Sequence, residues 1–348
     1  MPEPGMPGAG RRWLPRSTEG WLTLVILVFG GVLGLATDTF LTFANLFDLL
    51  NISAFNAIMA VGLLVVLVAG GIDISFAVAA SVVQYLTAVT VMQLGGGNWA
   101  IGLVLASAFG FMLGAINASL IYYFRIISIV VTIATFNIFF GLLMFFTRGR
   151  SIYDLPDWLL DRIIVFEFET PGGDFAFLTL PVVVMMAVVV ATWLFLNRSS
   201  LGRQLYAMGD NAEGARRVGI NIAAMHFLAY GWLGVCAGIG GLMQAHYVQE
   251  VVPNALYGRE LDVLAAVVLG GARLGGGRGT ILGALLGVTL VTMTQNGLNL
   301  MGVSPYAFQM VVGLVILVAI TMSNLEGLEA FIRRFRSGRA RAEAGRQG

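Results

Sequence analysis

Long apolar runs, cut by short clusters of charge and glycine, make up most of this chain. Charge-free stretches run from Gly20 to Thr37 and from Leu49 to Ile72. A longer one, Ile74 to Phe124, has room for two helices with a break at Gly95-Gly96-Gly97-Asn98. Ile126–Thr147, Phe175–Asn197 and Val218–Gln249 give one each, and Thr280–Leu325 gives two, split near Gly302–Pro305. A membrane-spanning helix needs about 20 mostly apolar residues, so these runs predict nine spans. One further segment, Tyr257 to Leu274, has a short apolar core with Glu260 and Asp262 at its start.

Charge decides whether that segment crosses. Cytoplasmic loops are enriched in Lys and Arg. Arg11, Arg12 and Arg16 precede the first span, Arg198, Arg203, Arg216 and Arg217 follow the sixth, and Arg333, Arg334, Arg336, Arg339, Arg341 and Arg346 fill the tail. If all three clusters lie inside, the chain crosses an even number of times between the middle loop and the tail, and the short segment must cross too. The expectation is an all-α polytopic membrane protein of about ten helices with both termini cytoplasmic. Its parts are a tail over 1–19, a transmembrane domain over 20–325 and an arginine-rich tail over 326–348. The domain carries an external loop at 148–174 and a cytoplasmic loop at 198–221. Arg125, Arg273 and Arg278 then fall inside, leaving Arg148, Arg150, Arg162 and Arg259 outside. The first apolar run is longer than a signal-peptide core and no A-x-A site follows, so a retained first helix is expected.

Composition agrees and narrows the chemistry. The 348 residues are 58% hydrophobic and 11% charged, against about 25% charged in a soluble domain. The net charge of +1 suggests no nucleic-acid partner. Every basic residue is Arg. A P-loop needs a Lys to reach the phosphates, so an ATP site of that class must come from another polypeptide. Cys236 stands alone in an apolar run and reads as a small buried residue. His226 and His246 lie at opposite ends of one run, and no cluster suggests a metal. No cofactor and no catalytic constellation are apparent, so the chain reads as a non-enzyme. Gly238, Gly240, Gly241, Gly283 and Gly287 fit close helix packing.

Three segments are candidates for function. In the loop Asn197–Asn221, Asp210 with Glu213 forms a capping-box pattern, Gly219 is placed to end the short helix, and Asn221 to cap the next. The loop is therefore expected to be an ordered knob. In Gly70-Gly71-Ile72-Asp73-Ile74-Ser75, the lone carboxylate is expected near the cytoplasmic surface, capping the third span; a direct transport role is the alternative. The glycine-rich run Gly270–Gly279 follows no strand and matches no nucleotide fingerprint. It reads as a tight re-entry between two short helices, with pathway or dimer contact as its candidate role.

Several ordered stretches together resemble the permease subunits of bacterial ABC importers for ribose and related monosaccharides. They are Asn56–Gly62, GGIDIS at 70–75, Leu201-Gly202-Arg203 with Tyr206–Gly209, Gly219-Ile220-Asn221, Glu260-Leu261-Asp262, Gly270–Gly279 and Asn296–Leu300. The resemblance covers Phe43 to Met322. It implies a pore subunit in the bacterial inner membrane that pairs with a second permease, identical or paralogous. It also implies a separate ABC ATPase subunit and a periplasmic sugar-binding protein. The cytoplasmic loop would dock into the ATPase, with Gly202, Arg203, Gly209, Asp210, Asn211, Glu213, Ala215, Arg216 and Gly219 as its coupling residues. Glu213 to Gly219 matches the E-A-A-x-x-x-G pattern of such loops, except for Gly214 in place of the first Ala. Asn56, Asp73, Glu260, Asp262 and Asn296 are the candidate pathway or structural residues. Two other classes remain. An ion-driven secondary transporter needs ionisable groups near the membrane midplane, which are scarce here. A membrane-embedded enzyme needs a reactive constellation.

Overall fold

The computed structural model describes residues 17–169, 173, 175–304 and scattered positions between 307 and 317. In chain order the helices are α1 (Thr18–Ala36), α2 (Phe43–Val68), α3 (Phe76–Gln93), α4 (Trp99–Phe124), α5 (Ser128–Thr147) and the short α6 (Asp157–Leu160). A hairpin of β1 (Ile164–Glu169) and β2 (Phe175–Thr179) follows. Then come α7 (Leu180–Trp193), α8 (Ser200–Asp210), α9 (Ala212–Arg217), α10 (Ile222–Val248), α11 (Arg259–Leu269) and α12 (Ile281–Leu300). Among the described residues, 8 helices are long and apolar enough to cross a membrane. The chain is a multi-pass membrane protein.

Side chains set where these helices begin. Ser17, Thr42, Asn98 and Thr280 each accept a first-turn backbone N–H of their helix, filling a bond the helix cannot make for itself. The core is built around α2, whose residues from Ala54 to Val68 are all buried. It is apolar on every side because neighbours surround it. Helix α10 lies along α4, with Gly110 against Gly234 and Gly114 against Tyr230, so close that a Cβ at any of the three glycines would overlap backbone of the other helix. Lipid offers apolar side chains as good a home as another helix does, so such small-residue contacts carry much of the association. Gly238 and Gly241 meet Ala106 and Ala80 in the same way, and Gly283 and Gly287 meet Gly270 and Ala266. Leu27, Leu35, Val104, Phe145 and Phe146 face outward and are exposed.

The bundle has two distinct ends. At one, the hairpin packs its Phe168 against Phe43 and Phe47 of α2, and Asn51 bonds Phe177 O, Thr179 N and Thr179 Oγ1. At the other, α8 covers the end of α2, with α9 packed against α8 and α10. The segment after α10 runs from the first end to the second. Val251 exchanges two 3.0 Å bonds with Ile152 beside the hairpin, and Gly277 N donates to Val68 O under α8. Helix α11 itself, at 11 residues, spans about 16 Å, roughly half of a bilayer's hydrocarbon. The segment is thus a broken traverse, completed by irregular backbone that touches α12 at Gly270 and α2 at Gly277 and Gly279. It is followed by the 20-residue α12, so Gly270–Gly279 is the turn between two traverses and not a re-entry between two short helices.

Other expectations shift. The sixth span begins at Leu180, because Phe175–Thr179 pairs with β1. The second runs from Phe43 to Val68, since Asp48 is tolerated near the hairpin end and Gly70, at φ 88°, stops the helix. Most of the last expected span and the arginines of both tails lie outside the described residues.

Candidate functional site

The arginine loop is two helices joined at one residue. Ser199 caps α8 by accepting from Gly202 N at 2.9 Å. Asn211 ends α8 and at once caps α9, accepting from Gly214 N at 2.9 Å. The expected capping box is not formed. Asp210 is the last residue of α8, so its side chain is one position too early, and Glu213 instead holds Arg217 at 3.3 Å on the surface. Gly219, at φ 87°, ends α9 as expected. Its N–H donates to Arg216 O and that of Ile220 to Ala215 O, both at 3.1 Å, the paired bonds of a left-handed helix stop. Asn221 caps α10 through Ala224 N.

The loop's candidate residues fall into two sets. Arg203, Asp210, Asn211, Glu213, Arg216 and Gly219 are exposed, while Gly202 and Ala215 are buried and Gly209 half-buried. The buried set explains how the knob is attached. Gly202 presses on Leu196 O, where α7 ends in a wider turn over Leu194–Arg198. Gly209 presses on Val68 O, and its neighbour there is Gly277 N, which donates to the same Val68 O at 2.9 Å. Tyr206 OH donates to Gly279 O at 2.8 Å, and burial pushes its phenol above the ordinary range. One face of α8 is therefore bound to the end of the central helix and to the turn that closes the broken traverse.

Asp73 stands beside this contact, at the α8 end of the bundle, and is buried in protein there: it is 2% exposed. Its Oδ1 accepts from Ser75 N and Ser75 Oγ, both at 2.7 Å. Its Oδ2 accepts from Asn117 Nδ2 at 3.1 Å, which also reaches Ser75 Oγ at 2.8 Å. Ser75, and not Asp73, is the N-cap residue of α3; Asp73 bonds that residue at the start of the helix, where the helix dipole favours a negative charge.

Asn56, Asp262 and Thr292 meet around a cavity of about 10 Å³ between α2, α11 and α12, the room of one water. Among the described residues, Asn56 Oδ1 and Thr292 Oγ1 find no hydrogen-bond partner. Asp262 Oδ2 accepts from Gln295 Nε2 at 3.2 Å. Glu260 folds back on Gly258 N at 3.0 Å. Asn296 lies further along, its amide exchanging two bonds with that of Asn45 at 3.0 and 3.1 Å. So the five candidates form no single site: Asn56 and Asp262 come together, while Asp73 sits at the α8 end. Asn117, Ser128, Thr132, Thr292 and Gln295 were missed, although lone polar residues in apolar runs are a signal for such contacts. Among the described residues no group of three or more His, Cys, Asp or Glu side chains could hold a metal.

Similarity to other proteins accords with this geometry. The family model described as branched-chain amino acid transport system / permease component matches residues 45–320. The ribose import permease protein RbsC of Escherichia coli K12 is 32% identical over 325 residues, 91% of this chain and 97% of its own length. RbsC of Bacillus subtilis is 33% identical over 305 residues, 87% of this chain and 91% of its own length. The autoinducer 2 import system permease protein LsrC of Yersinia enterocolitica is 30% identical over 313 residues, 88% of this chain and 82% of its own length. No solved structure matches. With a family model covering most of the chain, and relatives this similar along nearly their whole length, the chain belongs to the family of transport-system permease components.

Proposed function

We propose that this chain is the membrane subunit of a bacterial ABC importer, moving a monosaccharide such as ribose across the inner membrane. The names of its relatives support a sugar over a branched-chain amino acid. In this reading the helices α8 and α9 face the cytoplasm and dock into a separate ATPase subunit. A periplasmic sugar-binding protein delivers the solute at the hairpin end, and a second permease, identical or paralogous, completes the pathway. Both termini are cytoplasmic.

The observation that carries the coupling role is the contact of Gly209 with Val68 O and Gly277. A knob exposed on one side is in backbone contact with the central helix and the broken traverse on the other. Two backbones meeting through glycines have no flexible side chains to absorb a displacement. Closure of the ATPase would therefore move α2 and residues 270–279 along with α8. The irregular traverse is the segment suited to rearrange, because it has few helical bonds to break. The outcome is alternating access: the subunits rock, and the cavity at Asn56 and Asp262 widens to pass the solute.

The test is uptake by proteoliposomes holding this permease with its ATPase, supplied with binding protein and labelled ribose. ATP inside the appropriate compartment should drive accumulation. Accumulation driven by a proton or sodium gradient without ATP would instead establish a secondary transporter.

A further inference from the structure

We infer that the linker Gly70–Ser75 is a rigid strut that passes a displacement of α8 into α3, α4 and α5, with Asp73 and Asn117 as its positioning residues. The inference rests on the coupling role proposed above.

The linker is tied to a different element at almost every step. Gly70 lies against the Cα of Gly209 in α8. Gly71 lies against the Tyr230 ring of α10, where a Cβ would overlap the phenol oxygen. Ile72 N donates to Ser128 Oγ at 3.0 Å, and Ile72 O accepts from Thr132 Oγ1 at 3.3 Å, both on α5. Asp73 takes its bonds from Ser75, where α3 begins, and from Asn117 of α4.

A turn between two helices needs none of this. A lone carboxylate, buried with no Arg within ion-pair reach among the described residues, is a costly way to end a loop. What it supplies is stiffness. Charge-assisted hydrogen bonds are about twice as strong as neutral ones, and a carboxylate has only acceptors, so it fixes the Asn117 amide with nitrogen inward. Non-helical backbone would otherwise be the softest part of the path between α8 and the helices beyond α2. The bonds of Asp73 and Ile72 lie where that softness would dissipate a push arriving at Gly70.

The complementary pair allows an exchange test. Asp73→Asn leaves only neutral bonds, since the Asn117 amide has to turn its oxygen to the new nitrogen, Asn117→Asp sets two carboxylates against each other, and the two changes together restore one amide donor facing one carboxylate. In proteoliposomes of the full complex, sugar taken up per ATP hydrolysed should fall about tenfold in either single variant, the weight of one charge-assisted bond. The double variant should recover most of it. ATP hydrolysis stimulated by the binding protein should persist throughout. Uptake and hydrolysis falling in proportion in all three variants would show a merely structural network and overturn the strut.

A second readout needs no transport. In the permease alone in nanodiscs, backbone amides of residues 72–79 should exchange about tenfold faster in the single variants and return toward wild type in the double. Unchanged exchange overturns the strut. Wild-type uptake, measured alongside, decides the importer reading separately. If the single variants are poorly produced, Ser75→Ala removes one hydroxyl from the network and should give a smaller drop in sugar per ATP. Wild-type coupling in that variant, together with wild-type amide exchange, overturns the strut as well.

Discussion

Two polar breaks in this apolar chain are built oppositely. At the α8 end, the buried carboxylate of Asp73 has both oxygens bonded, and both backbone groups of Ile72 reach α5. Its loose ends among the described residues are Asn117 Oδ1 and, against Gly71, the Tyr230 hydroxyl. At the α11 entrance, Asp262 has one long bond to Gln295, Glu260 turns back on its own chain, and Asn56 and Thr292 face a cavity with atoms unpaired among the described residues. A satisfied polar network rigidifies its surroundings, whereas a partly satisfied one is less stable than the alternatives it can reach. The first arrangement suits a part that transmits movement. The second suits a part that opens and meets a polar solute, whose hydroxyls would supply the missing partners.

The largest expected effect attacks the junction of the two. Gly209→Val places a branched side chain on Val68 O and Gly277 N, an overlap that costs ~3 kcal/mol or more if the contact is kept. The variant should insert into the membrane but lose uptake, read by transport and by the thermal unfolding of the purified protein. Wild-type melting with wild-type uptake would remove the junction from the mechanism.

The next effect separates the two breaks directly. Asp73→Ala takes the acceptor from Ser75 N and Ser75 Oγ and leaves Asn117 Nδ2 only its bond to Ser75 Oγ, and should lower stability by ~1–3 kcal/mol. Asp262→Ala, which frees only Gln295, should cost ~1 kcal/mol or less, yet reduce uptake. Thermal melts paired with uptake rates check both, and equal destabilisation would erase the contrast. A smaller change sharpens it. Asn56→Leu replaces a buried oxygen that has no partner with an apolar group of like size, so the melt should stay level or rise, while sugar uptake falls. The smallest is Arg217→Ala. It breaks an exposed pair with Glu213 and should move stability by less than about 0.5 kcal/mol, any loss of coupling then reporting ATPase contact alone.

Much of this is legible in the sequence. Runs free of charge located the long helices, and the arginine clusters required the short segment after α10 to traverse. Its ends do lie at opposite ends of the bundle, although only Arg259–Leu269 is helical. Gly219 and Asn221 were legible as punctuation, because a left-handed stop and a cap are local demands of the backbone. Asp210 was misplaced by one residue, since Asp and Asn side by side are equivalent caps until the preceding helix fixes where it ends. The topology puts Asp73 near the cytoplasmic end of the third span, but does not say how deeply packing buries it there. Nothing near it in sequence announces that Asn117, 44 residues on, will meet it in the interior.

The sequence alone determined that this chain is a membrane bundle and where its arginine knob stands. Those features follow from transfer energies and charge summed over local stretches, whatever the packing. Tertiary structure decided that Gly209 meets Val68 and Gly277, that Asn56 meets Asp262, and that Asp73 is buried. Each depends on close contact between residues far apart in the chain. Glycines in apolar helices look alike in sequence, and only the fold selects which of them touch.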